Sequence, residues 1–95
     1  MTTRCPTHPG ELLREDILPD IGISKAEFAR RLHVSRQTVY DMLNEKAAVT
    51  PNLALRLGKL FGNSPLMWVN MQNSYDLWNI EKEQHDELNQ IHSFG

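Results

Sequence analysis

Ser24-Lys25-Ala26-Glu27-Phe28-Ala29-Arg30-Arg31-Leu32-His33-Val34-Ser35-Arg36-Gln37-Thr38-Val39-Tyr40-Asp41-Met42-Leu43-Asn44 holds two helix-start signals in quick succession. Ser24 with Glu27 three residues on reads as a capping box, in which hydroxyl and carboxylate each satisfy a backbone N–H of the first turn. Ser35 is the N-cap of the next helix. Phe28, Ala29 and Leu32 make the buried face of the first helix, and Val39, Met42 and Leu43 that of the second. Where two short helices cross steeply, a small residue such as Ala29 permits close approach, while Val34 and Val39 seal the corner. The bend needs a backbone position with positive φ. His33 stands there in place of the usual glycine, at some conformational cost.

Outward from this corner the helical pattern continues, and no period-2 alternation suggests a strand. A helix from about Pro9 to Leu18 follows His8 or Thr7, with Leu12, Leu13, Ile17 and Leu18 on one face and Pro19 and Gly22 closing it. Thr50-Pro51 opens a fourth helix with Leu53, Leu55, Leu57 and Leu60 inward, stopped by Gly62. Ser64-Pro65 starts a fifth, expected to end at Ile80 or, frayed, near Ile91. The expected class is all-α, with five helices and the helix-turn-helix at 24–44, in one domain of 95 residues.

Charge is segregated along the chain. Net charge is −2, yet Ser24 to Leu60 carries seven bases against three acids, whereas Phe61 onward carries one base against five acids. A basic middle between acidic ends suits one surface for phosphates and others for different partners. Such corners also occur in helical proteins that never touch DNA, so the exposed face of the third helix has to decide. It offers Ser35, Arg36, Gln37, Thr38, Tyr40, Asp41 and Asn44.

In a helix-turn-helix the N-terminal residues of the second helix reach base edges in the major groove. Arg36 has the donors for a guanine, and Gln37 can donate to and accept from an adenine. Thr38 can meet a thymine methyl or a phosphate, and Tyr40 and Asp41 lie one turn later at the groove's edge. Ser35, Lys46, Asn52, the start of the fourth helix and Arg30, with Arg31, are expected on phosphates. Double-stranded DNA is therefore the expected partner. Asp41 is the awkward residue, since a carboxylate near phosphates is unfavourable unless it pairs with Arg36 or accepts from a cytosine. If DNA binding has been lost, the remaining reading is a protein-interaction module.

One such motif reads few base pairs, so a dimer is expected. On the fifth helix Leu66, Val69, Asn73, Leu77 and Ile80 are assigned to the core. Met67, Met71, Tyr75 and Trp78, with Trp68 adjacent, are assigned to dimerisation together with the tail over 65–95.

Catalytic motifs are lacking. There is no phosphate-binding glycine loop, no Gly-x-Ser-x-Gly and no His-Glu-x-x-His. Cys5 and His8 have no second pair to complete a metal site, His85 and His92 sit on a polar stretch, and Glu15-Asp16 and Asp86-Glu87 diverge on a helix. No enzyme, cofactor or metal is expected. The lone Cys5, the absence of a run of about 20 apolar residues and an N-terminus without an export signal suit the cytoplasm.

Three blocks resemble HigA-type antitoxins over about residues 8 to 80: His8-Pro9-Gly10-Glu11-Leu12, Val49-Thr50-Pro51 with Leu53 to Leu57, and Ser64-Pro65-x-x-Trp68-Val69-Asn70-Met71-Gln72-x-x-Tyr75-Asp76-Leu77. His33, where glycine is commoner, and Met71, where leucine is usual, depart from the pattern. The resemblance implies a lambda-repressor-like fold, a homodimer formed through the C-terminal part, and repression of the protein's own operon at palindromic operator DNA. It also implies a complex with a HigB-type toxin, a ribosome-associated mRNA endoribonuclease with a basic surface. Glu11, Glu15, Asp16 and Asp20, or the acids from Glu81 to Glu87, can face such a toxin. The alternative is a stand-alone, phage-type regulator without a toxin.

Overall fold

A computed structural model describes residues 4–94; the first three residues of the N-terminal stretch read for export signals, and Gly95, lie outside it. Six helices account for its regular structure. α1 comprises Pro9–Leu12, the π-helical turn Leu13–Ile17 and Leu18–Ile21 without interruption. α2 is Lys25–Leu32, α3 Arg36–Leu43, α4 Pro51–Phe61, α5 Pro65–Glu83 and α6 His85–Leu88. The fifth helix thus ends at Glu83, between the expected limits of Ile80 and Ile91, and a separate short helical turn follows it.

Pro19 does not close α1, contrary to expectation. A proline in a helix lacks a donor, and its ring collides with the carbonyl four residues back. Here the wider π turn precedes it, with the Leu18 N–H bonded to the Leu13 carbonyl, and the helix passes through Pro19 to Gly22 (φ 71°). The expected hydroxyl caps are all present: Ser24, Ser35, Thr50 and Ser64 each accept a backbone N–H from their first turn. The capping box is only half formed, because the Glu27 carboxylate is taken by Arg30 and Arg31.

The core gathers Leu13, Phe28, Leu32, Val39, Met42, Leu43, Leu53, Leu57 and Trp68 around the corner. Ala29 is buried at the α2–α3 crossing, Val34 packs against the core, and His33 takes the left-handed conformation (φ 60°, ψ 42°) assigned to it. Glu45, just after α3, also has positive φ (61°), which nothing in its sequence context announced. Leu55, assigned inward, is 58% exposed, since it lies on the opposite side of α4 from Leu53 and Leu57.

His8, Pro9 and Gly10 form a latch. His8 Nδ1 accepts the Gly10 N–H at 2.8 Å, capping α1 from a buried position, and its ring meets Tyr75 of α5 edge-on, centroids 4.8 Å apart. Burial lowers the affinity of this imidazole for a proton, and the carboxylates of Glu45 and Asp76 only partly oppose it. A folded-state pKa below the unfolded one means that the stabilisation is complete above about pH 6.5. It is lost as pH falls through the lowered folded value. Protonating Nδ1 also removes the acceptor that caps α1. We therefore expect the urea midpoint to fall between pH 7.5 and pH 5, and His8→Asn, a neutral cap, to flatten that dependence. Glu27, held below its ordinary range first by Arg30 and then by Arg31, acts only at lower pH.

Candidate nucleic-acid interface

The outward face of α3 is polar and organised. Ser35 Oγ accepts the Thr38 N–H at 3.1 Å and lies 2.8 Å from Thr38 Oγ1, so both hydroxyls serve the start of α3. Arg36 is exposed beside a groove between α2 and α3 that Ser24, Glu27 and Arg30 also line. Nothing among the described residues engages its guanidinium. The Gln37 Nε2 donates to Asp41 Oδ1 at 2.7 Å, one helical turn away. Asp41 therefore pairs with Gln37, not with Arg36. Tyr40 is half-exposed, with Lys25 Nζ 5.8 Å from its ring centroid, which ties the middle of α3 back to α2.

The residues expected on phosphates flank this face. Lys46 is exposed in the turn after α3, whose N–H groups at Lys46 and Ala47 both return to the Asp41 carbonyl. Asn52 opens α4 with Oδ1 accepting from Arg56 Nε at 2.9 Å, which leaves its amide hydrogens for another acceptor. Arg30 binds the Glu27 carboxylate through Nε and Nη2, and Arg31 Nε binds the same carboxylate at 2.7 Å. These pairs are exposed and hence weak, so a phosphate can compete for the same donors.

Two arginines outside the expected set hold the corner in place. Arg14 of α1 donates to the Leu43 carbonyl at 2.6 Å and to Glu45 at 3.2 Å, closing the C-terminus of α3. Arg56 of α4 donates to the Leu32 carbonyl at 3.0 Å and to that of His33 at 3.4 Å, closing the C-terminus of α2. A cation there satisfies spare carbonyls and complements the helix dipole. Both contacts span more than twenty residues, so no local pattern signals them.

On α5 the two assigned stripes are exchanged in part. Trp68 is wholly buried and its Nε1 donates to Asn63 Oδ1 at 2.9 Å, so it cannot line a dimer surface. Tyr75 is committed to His8. Buried Gln72 accepts the Val49 N–H at 2.9 Å and donates to Asp76 at 3.0 Å, anchoring the loop between α3 and α4. Leu66, Leu77 and Ile80, assigned to the core, are 65%, 69% and 46% exposed on the opposite face. Met67 is 38% exposed, Met71 is half-buried, and Trp78 is half-buried beneath Lys82.

A helix-turn-helix family model matches residues 13–68, more than half of the chain. The structure superposes on Pseudomonas aeruginosa antitoxin HigA with higBA promoter with a TM-score of 0.89 at 35% identity, covering 95% of this chain and 99% of that one. Antitoxin HigA-1 of Vibrio cholerae is 33% identical over 86 residues, 90% of this chain and 81% of the relative. The chain belongs to the helix-turn-helix family that includes the HigA antitoxins. Virulence-associated protein I of Dichelobacter nodosus is a further relative, 40% identical over 77 residues, 81% of this chain and 71% of its own length. The matched helix-turn-helix segment starts after the His8–Gly10 latch and ends at Trp68, so all of α5 beyond its first turn lies outside it. No helix among the described residues is long and apolar enough to cross a membrane. No group of three or more His, Cys, Asp or Glu among them is placed to hold a metal ion.

Proposed function

We propose that this chain is an autorepressing antitoxin that binds operator DNA as a homodimer in the cytoplasm and neutralises a HigB-type mRNA endoribonuclease. The observation that carries the DNA reading is the exposed α3 face, with Arg36 unengaged among the described residues at its N-terminal end and Gln37, Thr38 and Tyr40 beside it. An antitoxin of the same fold, 35% identical, is described with its promoter. Arg36 and Gln37 read bases, Thr38 and Tyr40 contact the groove, and Ser35, Lys46, Asn52 and Arg30 contact phosphates.

Dimerisation rests on α5. The molecule measures 50 × 22 × 21 Å, and the monomer leaves unburied an apolar face of Leu66, Leu77 and Ile80, with Met67 and Trp78 at its margin. Pairing two copies supplies the second recognition helix that an operator of two half-sites, about 34 Å apart, requires. The acids of α1 and of the segment from Glu81 to Glu87 face solvent and suit a basic toxin.

A mobility shift on the duplex upstream of the chain's own gene, with and without the co-expressed neighbouring toxin, tests this. Arg36→Ala and Gln37→Ala should each cost about 1–3 kcal/mol on that duplex and little on random DNA. Equal affinity of the wild type for both duplexes would sink the proposal.

A further inference from the structure

Gln37 and Asp41 are linked in a way that gives the carboxylate a role other than touching a base. We infer that Asp41 is a positioning residue that fixes the Gln37 amide for adenine, an inference that rests on the DNA-reading role of α3. The Gln37 Nε2 donates to Asp41 Oδ1 at 2.7 Å along the exposed surface of α3. An ionised carboxylate only accepts, so this bond requires the amide nitrogen, not Oε1, to face Asp41. The amide flip is thereby decided before any base arrives.

Nε2 carries two hydrogens, and the one on the Cγ side is assigned to Asp41. The other hydrogen and Oε1 then lie together on the outer amide edge. That edge presents one donor beside one acceptor, which matches N7 and N6–H of adenine in the major groove. Guanine offers two acceptors, N7 and O6, and would meet Oε1 with an unpaired acceptor. A free glutamine can rotate its amide to soften such a mismatch, whereas one held by Asp41 cannot. The carboxylate repels phosphates by its charge, so its contribution is to selectivity and not to raw affinity.

Selection from a pool of random duplexes at fixed salt, sequenced before and after binding, separates the possibilities. Wild-type protein should prefer adenine by about tenfold or more at one position per half-site, and Gln37→Ala should erase the preference at that position alone. Asp41→Ala should reduce the same preference to within about threefold while raising affinity for all duplexes. Asp41→Asn, which keeps an acceptor for Nε2 without the charge, should raise general affinity equally but retain the adenine preference. Adding Asp41→Ala to Gln37→Ala should change nothing further at that position. Full adenine preference in Asp41→Ala, or a preference for another base at the Gln37 position, would overturn the inference. A wild type without preference at any position would instead overturn the DNA-reading role itself.

Discussion

Gly10→Ala is expected to destabilise the protein by about 3 kcal/mol or more, the upper range for overpacking. In an exposed helix the same change would be favourable by up to about 1 kcal/mol, because alanine is the better helix former. Here a Cβ would overlap the Met42 carbonyl oxygen and come within 3.0 Å of the carbonyl carbon, with His8 Nδ1 only 3.1 Å away. Those are backbone atoms of α3 on one side and the capping ring of α1 on the other. Neither yields as a flexible side chain would, so α1 must back away from α3. The displacement also loosens the Arg14 bond to Leu43 and tilts α3. Urea titration should show the loss, and Gly22→Ala serves as a comparison. Gly22 has positive φ but nothing within 4 Å of an added Cβ, so only the backbone cost of about 1 kcal/mol applies. Equal stability of Gly10→Ala and wild type would mean that the contact of α1 with α3 is not close in solution.

Trp68→Ala should cost about 3–5 kcal/mol, as expected for removing a large aromatic from a packed core. The indole is fully buried, stacks obliquely on Phe61 with centroids 6.1 Å apart, and through Phe61 reaches Phe28 of α2. It therefore connects α5 to the helix-turn-helix rather than to a second molecule. Trp68→Phe keeps an aromatic ring, though a smaller one, and removes the donor to Asn63, so it should lose less, about 1–3 kcal/mol. Unfolding followed at several protein concentrations distinguishes core from interface. A core residue changes stability by the same amount at every concentration, whereas an interface residue shifts the dissociation of the dimer. A concentration-dependent loss confined to dimer dissociation would contradict the core assignment.

These two sites also show what was legible in the sequence. Caps at Ser24, Ser35, Thr50 and Ser64, the small residue Ala29 and the positive φ of His33 are local features, and each was readable from its neighbours. The polar face of α3 followed from the same periodicity. The faces of α5 did not. Its inner side carries Gln72, a polar residue buried because it bonds Val49 and Asp76, while its outer side carries Leu66, Leu77 and Ile80. Apolar periodicity then points the wrong way, because burial was decided by a hydrogen bond to a distant loop. Pro19 misled for a related reason, since the π turn before it resolves the clash that usually ends a helix. Arg14 and Arg56 act on carbonyls distant in sequence, and only the folded chain brings them together. At the interface, Asp41 was readable as anomalous but not as the partner of Gln37.

The paired guanidinium caps bear on engineering. A segment cut at 24–44 looks like a portable reading head, with its own starts, bend and seal. The C-termini of its two helices are nevertheless fastened by Arg14 and Arg56, which lie outside the segment on either side. Grafted onto a foreign scaffold, the excised corner would leave the carbonyls of Leu32 and Leu43 without these donors, and its helices free to change their crossing angle. On the proposed reading of α3, swapping DNA specificity between scaffolds thus calls for exchanging only its outward residues, or for transplanting both fasteners along with the corner.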